Sequence, residues 1–109
     1  MLKIGVLVSG GGTNLQAILD AIDAGDITNA EVDIVISNNA SAYALERARK
    51  HNIEALCIAP KDYPDREAFH RALLAKLQER GVDLIVLAGY LVAIPPVMVE
   101  AYPNKIVNI

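Results

Sequence analysis

The chain has 109 residues, of which 53% are hydrophobic and 21% charged, and this balance excludes an intrinsically disordered protein. Its length suits one domain or part of one. The formal net charge is -3, with 10 basic against 13 acidic residues, which argues against a nucleic-acid-binding protein that acts by neutralising phosphates.

Five short apolar runs predict β-strands that are covered on both faces, because continuous runs are typical of parallel sheets. In chain order they cover residues 4–8, 32–36, 55–58, 84–87 and 106–107. Ile109 closes the last strand with no turn or cap after it, which leaves a hydrophobic edge. We therefore expect a fragment of a longer protein, or an assembly module whose last strand pairs with another chain.

Helical periodicity separates these runs. The first helix has four apolar side chains on one face, at spacing i, i+3, i+4 and i+7: Leu15, Ile18, Leu19 and Ile22. Thr13 or Asn14 is expected to cap its start, and Gly25 to end it. A second helix is expected over residues 42–51, with Ser41 as its cap.

The third and fourth helices complete the pattern. Asp62 and Pro64 are expected to open the third, which turns Phe69 and three leucines inward, and Pro95-Pro96 starts a short fourth. The chain thus alternates strand and helix four times and ends in a strand. Because such crossovers are right-handed, we predict an α/β fold with an open, doubly wound, Rossmann-like and mostly parallel sheet in the order 3-2-1-4-5.

A glycine loop joins the first strand to the first helix. Its three adjacent glycines are followed by two polar residues: Gly10, Gly11, Gly12, Thr13 and Asn14. Glycines let a ligand approach the backbone closely, and the free N–H groups of a helix N-terminus attract anions. A plain tight turn is the alternative, but three glycines exceed what a turn needs, so we favour a phosphate-binding site.

A dinucleotide-binding domain is a second hypothesis for the same loop. The G-x-G half of the nucleotide fingerprint is present, but its sixth position is Leu15, and strand two ends at Asn38 where an acidic residue would hold a ribose. NAD(P) binding is therefore disfavoured, although it remains an alternative.

The predicted strand order brings strands one and four side by side, and ligands bind at such a switch point. The loop after strand four is apolar and contains an aromatic residue, which suits a flat organic ring as well as it suits core packing. Near the end of strand five, Asn108 lies between apolar neighbours. An amide buried there needs partners, and one that faces the crevice could stabilise an oxyanion.

Several motifs together resemble the glycinamide ribonucleotide formyltransferase family. The first is S-G-x-G-[ST]-N-L-Q-A-I at residues 9–18. The others are S-N at 37–38, a G-L-E-R-A-R-like helix at 44–49, D-R-E-A-[FY] at 65–69, V-L-A-G-[FY] at 86–90 and I-[VL]-N-I at 106–109. The match covers the whole chain and implies the N-terminal half of such an enzyme, a single phosphoribosyl-binding half-domain over residues 1–109.

The resemblance implies specific roles. Residues 10–14 would cradle the phosphate of glycinamide ribonucleotide, and Arg66 would contact the co-substrate 10-formyltetrahydrofolate. Asn108 would bind the formyl oxygen as the catalytic residue and also contact the folate. The rest of the folate pocket would be formed by the loop after strand four: Gly89, Tyr90, Leu91, Val92, Ala93 and Ile94.

The chain also departs from the family pattern. The family continues after N-I with H-P-S, whose histidine is the general acid, and many relatives carry a basic residue in place of Val92. We therefore expect the 109 residues alone to be inactive and to need the C-terminal half as a partner. A homodimer through the exposed fifth strand is the other expected assembly.

The remaining residues give no further functional prediction. His51 and His70 are expected on the surface, away from the crevice. Cys57, the only cysteine, is expected in the core, and a single cysteine excludes a Cys-rich zinc site, so no metal is predicted. No apolar run approaches the roughly 20 residues that span a bilayer. We expect a cytoplasmic protein with no membrane partner.

Overall fold

A computed structural model describes all residues, 1–109, and contains one five-stranded parallel sheet in the order β3-β2-β1-β4-β5. The predicted fold class and strand order are confirmed. The strands are β1 Leu2–Val8, β2 Ala30–Ser37, β3 Glu54–Cys57, β4 Leu84–Leu87 and β5 Ile106–Asn108. The helices are α1 Thr13–Asp23, α2 Tyr43–Lys50, α3 Arg66–Glu79 and α4 Pro96–Ala101, with a short 3-10 turn at Pro60–Asp62.

The helices cover both faces of the sheet, and each face has its own core. Leu15 and Leu19 of α1 pack with Leu45 of α2 against one face. Phe69 and the other buried side chains of α3 pack with Met98 of α4 against the opposite face. Burial on both sides explains why the central strands read as continuous apolar runs.

The parallel register aligns the carboxyl ends of the strands at one edge. Leu7 of β1 pairs with Ile36 on one side and Leu87 on the other, and Leu87 pairs in turn with Asn108. Asn108 is therefore two strand spacings, roughly 10 Å, from β1. The loops that follow β1, β2 and β4 all leave from this edge.

Three helix starts differ from the sequence prediction. The N-cap of α1 is Gly12 instead of Thr13 or Asn14, and no side chain caps the helix. The N-cap of α2 is Ala42, also without a side-chain bond, instead of Ser41. Asp65 caps α3 by accepting a 2.7 Å hydrogen bond from the Ala68 N–H, so this helix begins later than predicted.

The two edge strands are more exposed than the sequence predicts. Cys57 ends β3 and is exposed, so the core position predicted for it is wrong. Asn108 is also exposed, because β5 has a neighbour on one side only. Val107 and Ile109 beside it expose about half of their surface (44% and 52%). No helix is long and apolar enough to cross a membrane.

Candidate functional site

The glycine loop passes tightly against helix α2. Gly12 has φ +80°, in the left-handed region, and a Cβ atom placed there would lie 2.6 Å from the Cβ and 2.8 Å from the Cα of Ala44. Ala44 is fully buried. Glycine is thus required at position 12 by both conformation and space. At Gly10 and Gly11, in contrast, an added Cβ would meet no atom within 4 Å, so their faces are open.

All three glycine carbonyls accept hydrogen bonds from the protein. The Gly10 carbonyl accepts from the Ala44 N–H at 3.1 Å, and the Gly12 carbonyl accepts from the Gln16 N–H at 2.9 Å. The Gly11 carbonyl accepts from Nε of Arg47 at 2.7 Å. The carbonyl oxygens of the loop therefore point toward the rest of the protein.

The donors of the same loop are left free. The N–H groups of Gly11, Gly12, Thr13 and Asn14 have no acceptor in the protein. The side chains of Thr13 and Asn14 are exposed and form no hydrogen bond. These donors add to the partial positive charge of the α1 N-terminus. Such an arrangement suits an anion with several acceptor oxygens.

Ser9 connects three loops, a role that the sequence analysis did not predict. Its buried hydroxyl donates to Oδ1 of Asn38 at 2.6 Å and accepts from the Leu91 N–H at 2.8 Å. The loops after β1, β2 and β4 are thereby joined at the carboxyl edge of the sheet. A small polar residue at the end of a buried strand was the available signal, because such a hydroxyl needs partners.

The loop after β4 has an apolar surface and one fixed backbone turn. Gly89 has φ +72° and Leu91 is 86% exposed. Tyr90 is half-buried, and burial raises the pKa of its hydroxyl to about 12, so the ring is neutral at ordinary pH. Val92 and Ile94 pack against the α3–α4 core, whereas Ala93 is exposed. The loop thus presents its exposed positions, Leu91 and Ala93, toward solvent.

A groove of about 540 Å³ lies between α3 and the start of α4, and its wall includes Arg66 and His70. Arg66 is exposed and forms no ion pair, whereas Arg71 is paired with Glu67 at 2.6 Å. His70 is buried, and its Nε2 has no hydrogen-bond partner. Burial, and next the Arg66 charge, lower the pKa of His70 below its ordinary value.

The prediction that His70 lies on the surface is therefore wrong. His70 follows Phe69 on α3, with ring centroids 5.2 Å apart. Pro95 and Pro96 line the same groove as His70. His51 is half-buried at the end of α2, where Nδ1 lies 3.0 Å from the Arg47 carbonyl oxygen and Nε2 lies 3.4 Å from a carboxylate oxygen of Asp23. Neither histidine lies on β5 beside Asn108.

Comparisons with known proteins assign the chain to a family. A family model described as formyl transferase matches residues 2–109. A phosphoribosylglycinamide formyltransferase of Haemophilus influenzae is 44% identical over 109 residues, which are 100% of this chain and 51% of that protein. A trifunctional purine biosynthetic protein adenosine-3 of Chironomus tentans is 42% identical over 108 residues, 98% of this chain and 8% of that protein.

Solved structures agree with these sequence matches. Glycinamide ribonucleotide transformylase 1 from Symbiobacterium toebii superposes with a TM-score of 0.94 at 52% identity, covering 99% of this chain and 50% of that one. The corresponding structure from Geobacillus kaustophilus gives 0.94 at 42% identity, covering 99% of this chain and 57% of that one. The chain therefore spans about half the length of the single-function relatives that it matches.

Proposed function

The chain belongs to the formyl transferase family, and on that premise we propose that it provides the phosphate cradle and the oxyanion donor of a glycinamide ribonucleotide formyltransferase. The enzyme would transfer a formyl group from 10-formyltetrahydrofolate to the amine of glycinamide ribonucleotide, a step of purine synthesis in the cytoplasm. The printed name of the Haemophilus influenzae relative, phosphoribosylglycinamide formyltransferase at 44% identity, supports the acceptor substrate, and the name of the Chironomus tentans relative at 42% identity supports a place in purine synthesis.

The observation that carries the proposal is the hydrogen bonding of the glycine loop, whose carbonyls are bonded within the protein while its N–H groups are free. Its carbonyls accept bonds from α1 and α2, and the N–H groups of residues 11–14 have no acceptor in the protein. A phosphate has enough oxygens to accept from several of these donors at once. This arrangement supports the proposal that Gly10, Gly11, Gly12, Thr13 and Asn14 hold the substrate phosphate.

The formyl end of the reaction would lie across the carboxyl edge of the sheet. The folate would bind against residues 89–94, with Arg66 attracting its anionic end and Asn108 contacting its formyl group. The substrate amine attacks the formyl carbon, a C–N bond forms, and the formyl oxygen gains a negative charge. Hydrogen bonds from the Asn108 amide N–H groups stabilise that charge in the transition state. Collapse of the intermediate breaks the bond to the folate nitrogen.

The leaving folate nitrogen needs a proton while the attacking amine must lose one, so a group that transfers protons is required. The resemblance assigns this role to a histidine in an H-P-S motif that follows N-I. The two histidines of these residues do not fit that role, because His51 lies at the end of α2 and His70 in the groove on α3, and neither is on β5 beside Asn108. We therefore propose that residues 1–109 are a single phosphoribosyl-binding half-domain that binds substrate but transfers formyl groups at a negligible rate alone.

The first test is calorimetric titration of the 109-residue chain with glycinamide ribonucleotide, with NADPH as the comparison ligand. We expect binding of the ribonucleotide that is lost in Gly12→Val, and none of NADPH. Binding of NADPH at the loop would favour a dinucleotide-binding domain. Binding of neither ligand would contradict the proposal that the phosphate site exists in these residues.

The second test adds the C-terminal half of a relative and measures formyl transfer. Activity should appear only with both halves present and should be lost in Asn108→Ala. Transfer by the 109 residues alone that survives Asn108→Ala would contradict both the assigned role of Asn108 and the predicted inactivity.

The outer edge of β5 is open to another strand, which could come from the C-terminal half or from a second copy of the chain. β5 pairs with β4 on one side only, and Val107 and Ile109 are each about half exposed. An unpaired edge with apolar side chains favours addition of another strand. We propose the C-terminal half as the occupant, with a second copy of the chain as the alternative. Size-exclusion chromatography with light scattering separates the two: a homodimer that persists with the C-terminal half present would contradict the first.

A further inference from the structure

Arg47 on α2 reaches across to the glycine loop. Its Nε donates to the Gly11 carbonyl at 2.7 Å, and its Nη1 donates to Oε1 of Gln16 at 3.2 Å. Gln16 lies in the first turns of α1, so one guanidinium connects the loop to the helix that follows it. The Arg47 guanidinium carbon also lies 5.0 Å from the ring centroid of Tyr43, which restrains its position.

The bond to the Gly11 carbonyl decides where the next N–H points. No peptide bond in the chain is cis, and in a trans peptide the carbonyl oxygen and the following N–H point in opposite directions. Holding the Gly11 carbonyl toward α2 therefore turns the Gly12 N–H away from α2. The adjacent Gly10 carbonyl is held the same way by the backbone of Ala44, which no side-chain substitution removes. Only the Gly11–Gly12 peptide depends on a side chain.

We propose that Arg47 is a positioning residue for the phosphate-binding loop: it fixes the Gly12 N–H toward the ligand without touching the ligand. This inference rests on the proposed function of the loop. Arginine suits the role because its planar fork donates in two directions at once, to the Gly11 carbonyl and to Gln16. Its positive charge behind the loop adds a smaller, distance-dependent attraction for the anion.

The test is a titration of the ¹⁵N-labelled chain with ribose 5-phosphate, followed by the amide resonances of Gly11, Gly12 and Thr13. Arg47→Met should weaken binding by about tenfold, the loss expected when one hydrogen bond to a charged group is removed. Arg47→Lys should recover part of this, because an ammonium donates to one carbonyl but cannot bridge to Gln16. The control is Arg49→Met on the same helix, which removes the same charge from an exposed side chain that pairs only with Glu46.

Each outcome separates the inference from the function on which it rests. If the loop amides of the unmodified chain do not respond to ribose 5-phosphate, the phosphate site itself is wrong and the inference falls with it. If they respond and Arg47→Met binds as tightly as the unmodified chain, only the role of Arg47 is overturned. An equal loss in Arg49→Met would also overturn it, because net charge alone would then explain the effect.

Partial rescue distinguishes positioning from general destabilisation. Urea unfolding of each variant shows whether it is folded at the temperature of the titration. If Arg47→Met does not fold, Arg47→Lys carries the test, with an expected loss of about threefold. Unchanged affinity in folded Arg47→Lys would then overturn the inference.

Discussion

Replacement of Gly12 by alanine tests the close contact between the glycine loop and α2. Two costs combine at this position. The φ of +80° is costly for any residue with a Cβ, by about 1–2 kcal/mol. The new Cβ would also lie 2.6 Å and 2.8 Å from the Cβ and Cα of the fully buried Ala44. These atoms belong to a packed helix and cannot rotate away, so overpacking adds about 1–3 kcal/mol.

We expect Gly12→Ala to lower the free energy of unfolding by about 3 kcal/mol. For a domain of this size that corresponds to a fall in Tm of about 15 °C. Urea unfolding followed by far-UV circular dichroism measures the first quantity, and a thermal melt measures the second. Because a mutant loop that shifts from α2 also moves its N–H groups, ribonucleotide binding should be lost in the same variant.

Two other glycines of the chain serve as controls, because Gly25 carries the conformational strain alone and Gly11 carries neither cost. Gly25 has φ +82°, and a Cβ added there would meet no atom within 4 Å, so Gly25→Ala measures conformational strain alone, about 1–2 kcal/mol. Gly11 has no positive φ and an added Cβ would again meet nothing within 4 Å, so Gly11→Ala should change stability by less than about 0.5 kcal/mol. The reasoning is refuted if Gly12→Ala destabilises the chain no more than Gly25→Ala does.

Three further predictions concern other parts of the site. Ser9→Ala should cost about 2 kcal/mol and speed hydrogen exchange at the Leu91 amide, which loses its acceptor; an unchanged exchange rate would contradict the link. Burial and the Arg66 charge lower the pKa of His70 in the folded chain. As the pH falls, His70 therefore takes up a proton at a higher pH in the unfolded chain than in the folded chain. The His70 contribution to stability is therefore present above the unfolded pKa of 6.5 and is lost as the pH falls toward the folded pKa. His70→Leu should reduce the slope of the unfolding free energy against pH over this range, measured by urea unfolding at each pH. An identical slope in the variant would count against this prediction. With both halves of the enzyme present, Asn108→Ala should lower kcat by about 10²–10³ while leaving the unfolding free energy within about 0.5 kcal/mol, and a change in KM alone would remove Asn108 from catalysis.

The sheet could be predicted from the sequence because its signals are local. Continuous apolar runs place the strands, and the predicted run at 84–87 coincides with β4. Right-handed crossovers then restrict the sheet to a few doubly wound strand orders, of which 3-2-1-4-5 is one. The exposure of Cys57 also follows from that order, since β3 is an edge strand with one neighbour. The prediction that Cys57 lies in the core is wrong because it assumes that every strand is covered by neighbours on both sides.

The start of α1 could not be predicted because it is decided by another element. Capping preferences favour a polar residue such as Thr13 or Asn14. The actual cap, Gly12, takes a left-handed conformation that brings it against Ala44, and this leaves the first N–H groups without a side-chain acceptor. A side-chain cap would occupy a donor that a phosphate could use. The missing cap is thus consistent with a helix start reserved for a ligand.

Ser9 shows why the candidate site extends beyond its motifs. Its hydroxyl forms hydrogen bonds with Asn38 and Leu91, which lie 29 and 82 positions further along the chain. No periodicity in the sequence relates these three positions. Leu91 belongs to the loop proposed to hold the folate, and Ser9 directly precedes the loop proposed to hold the phosphate. The same hydroxyl therefore sets the relative position of both loops. Since group transfer requires the reacting atoms to be held in a narrow geometry, loss of these two hydrogen bonds should weaken the alignment of the two substrates more than the binding of either.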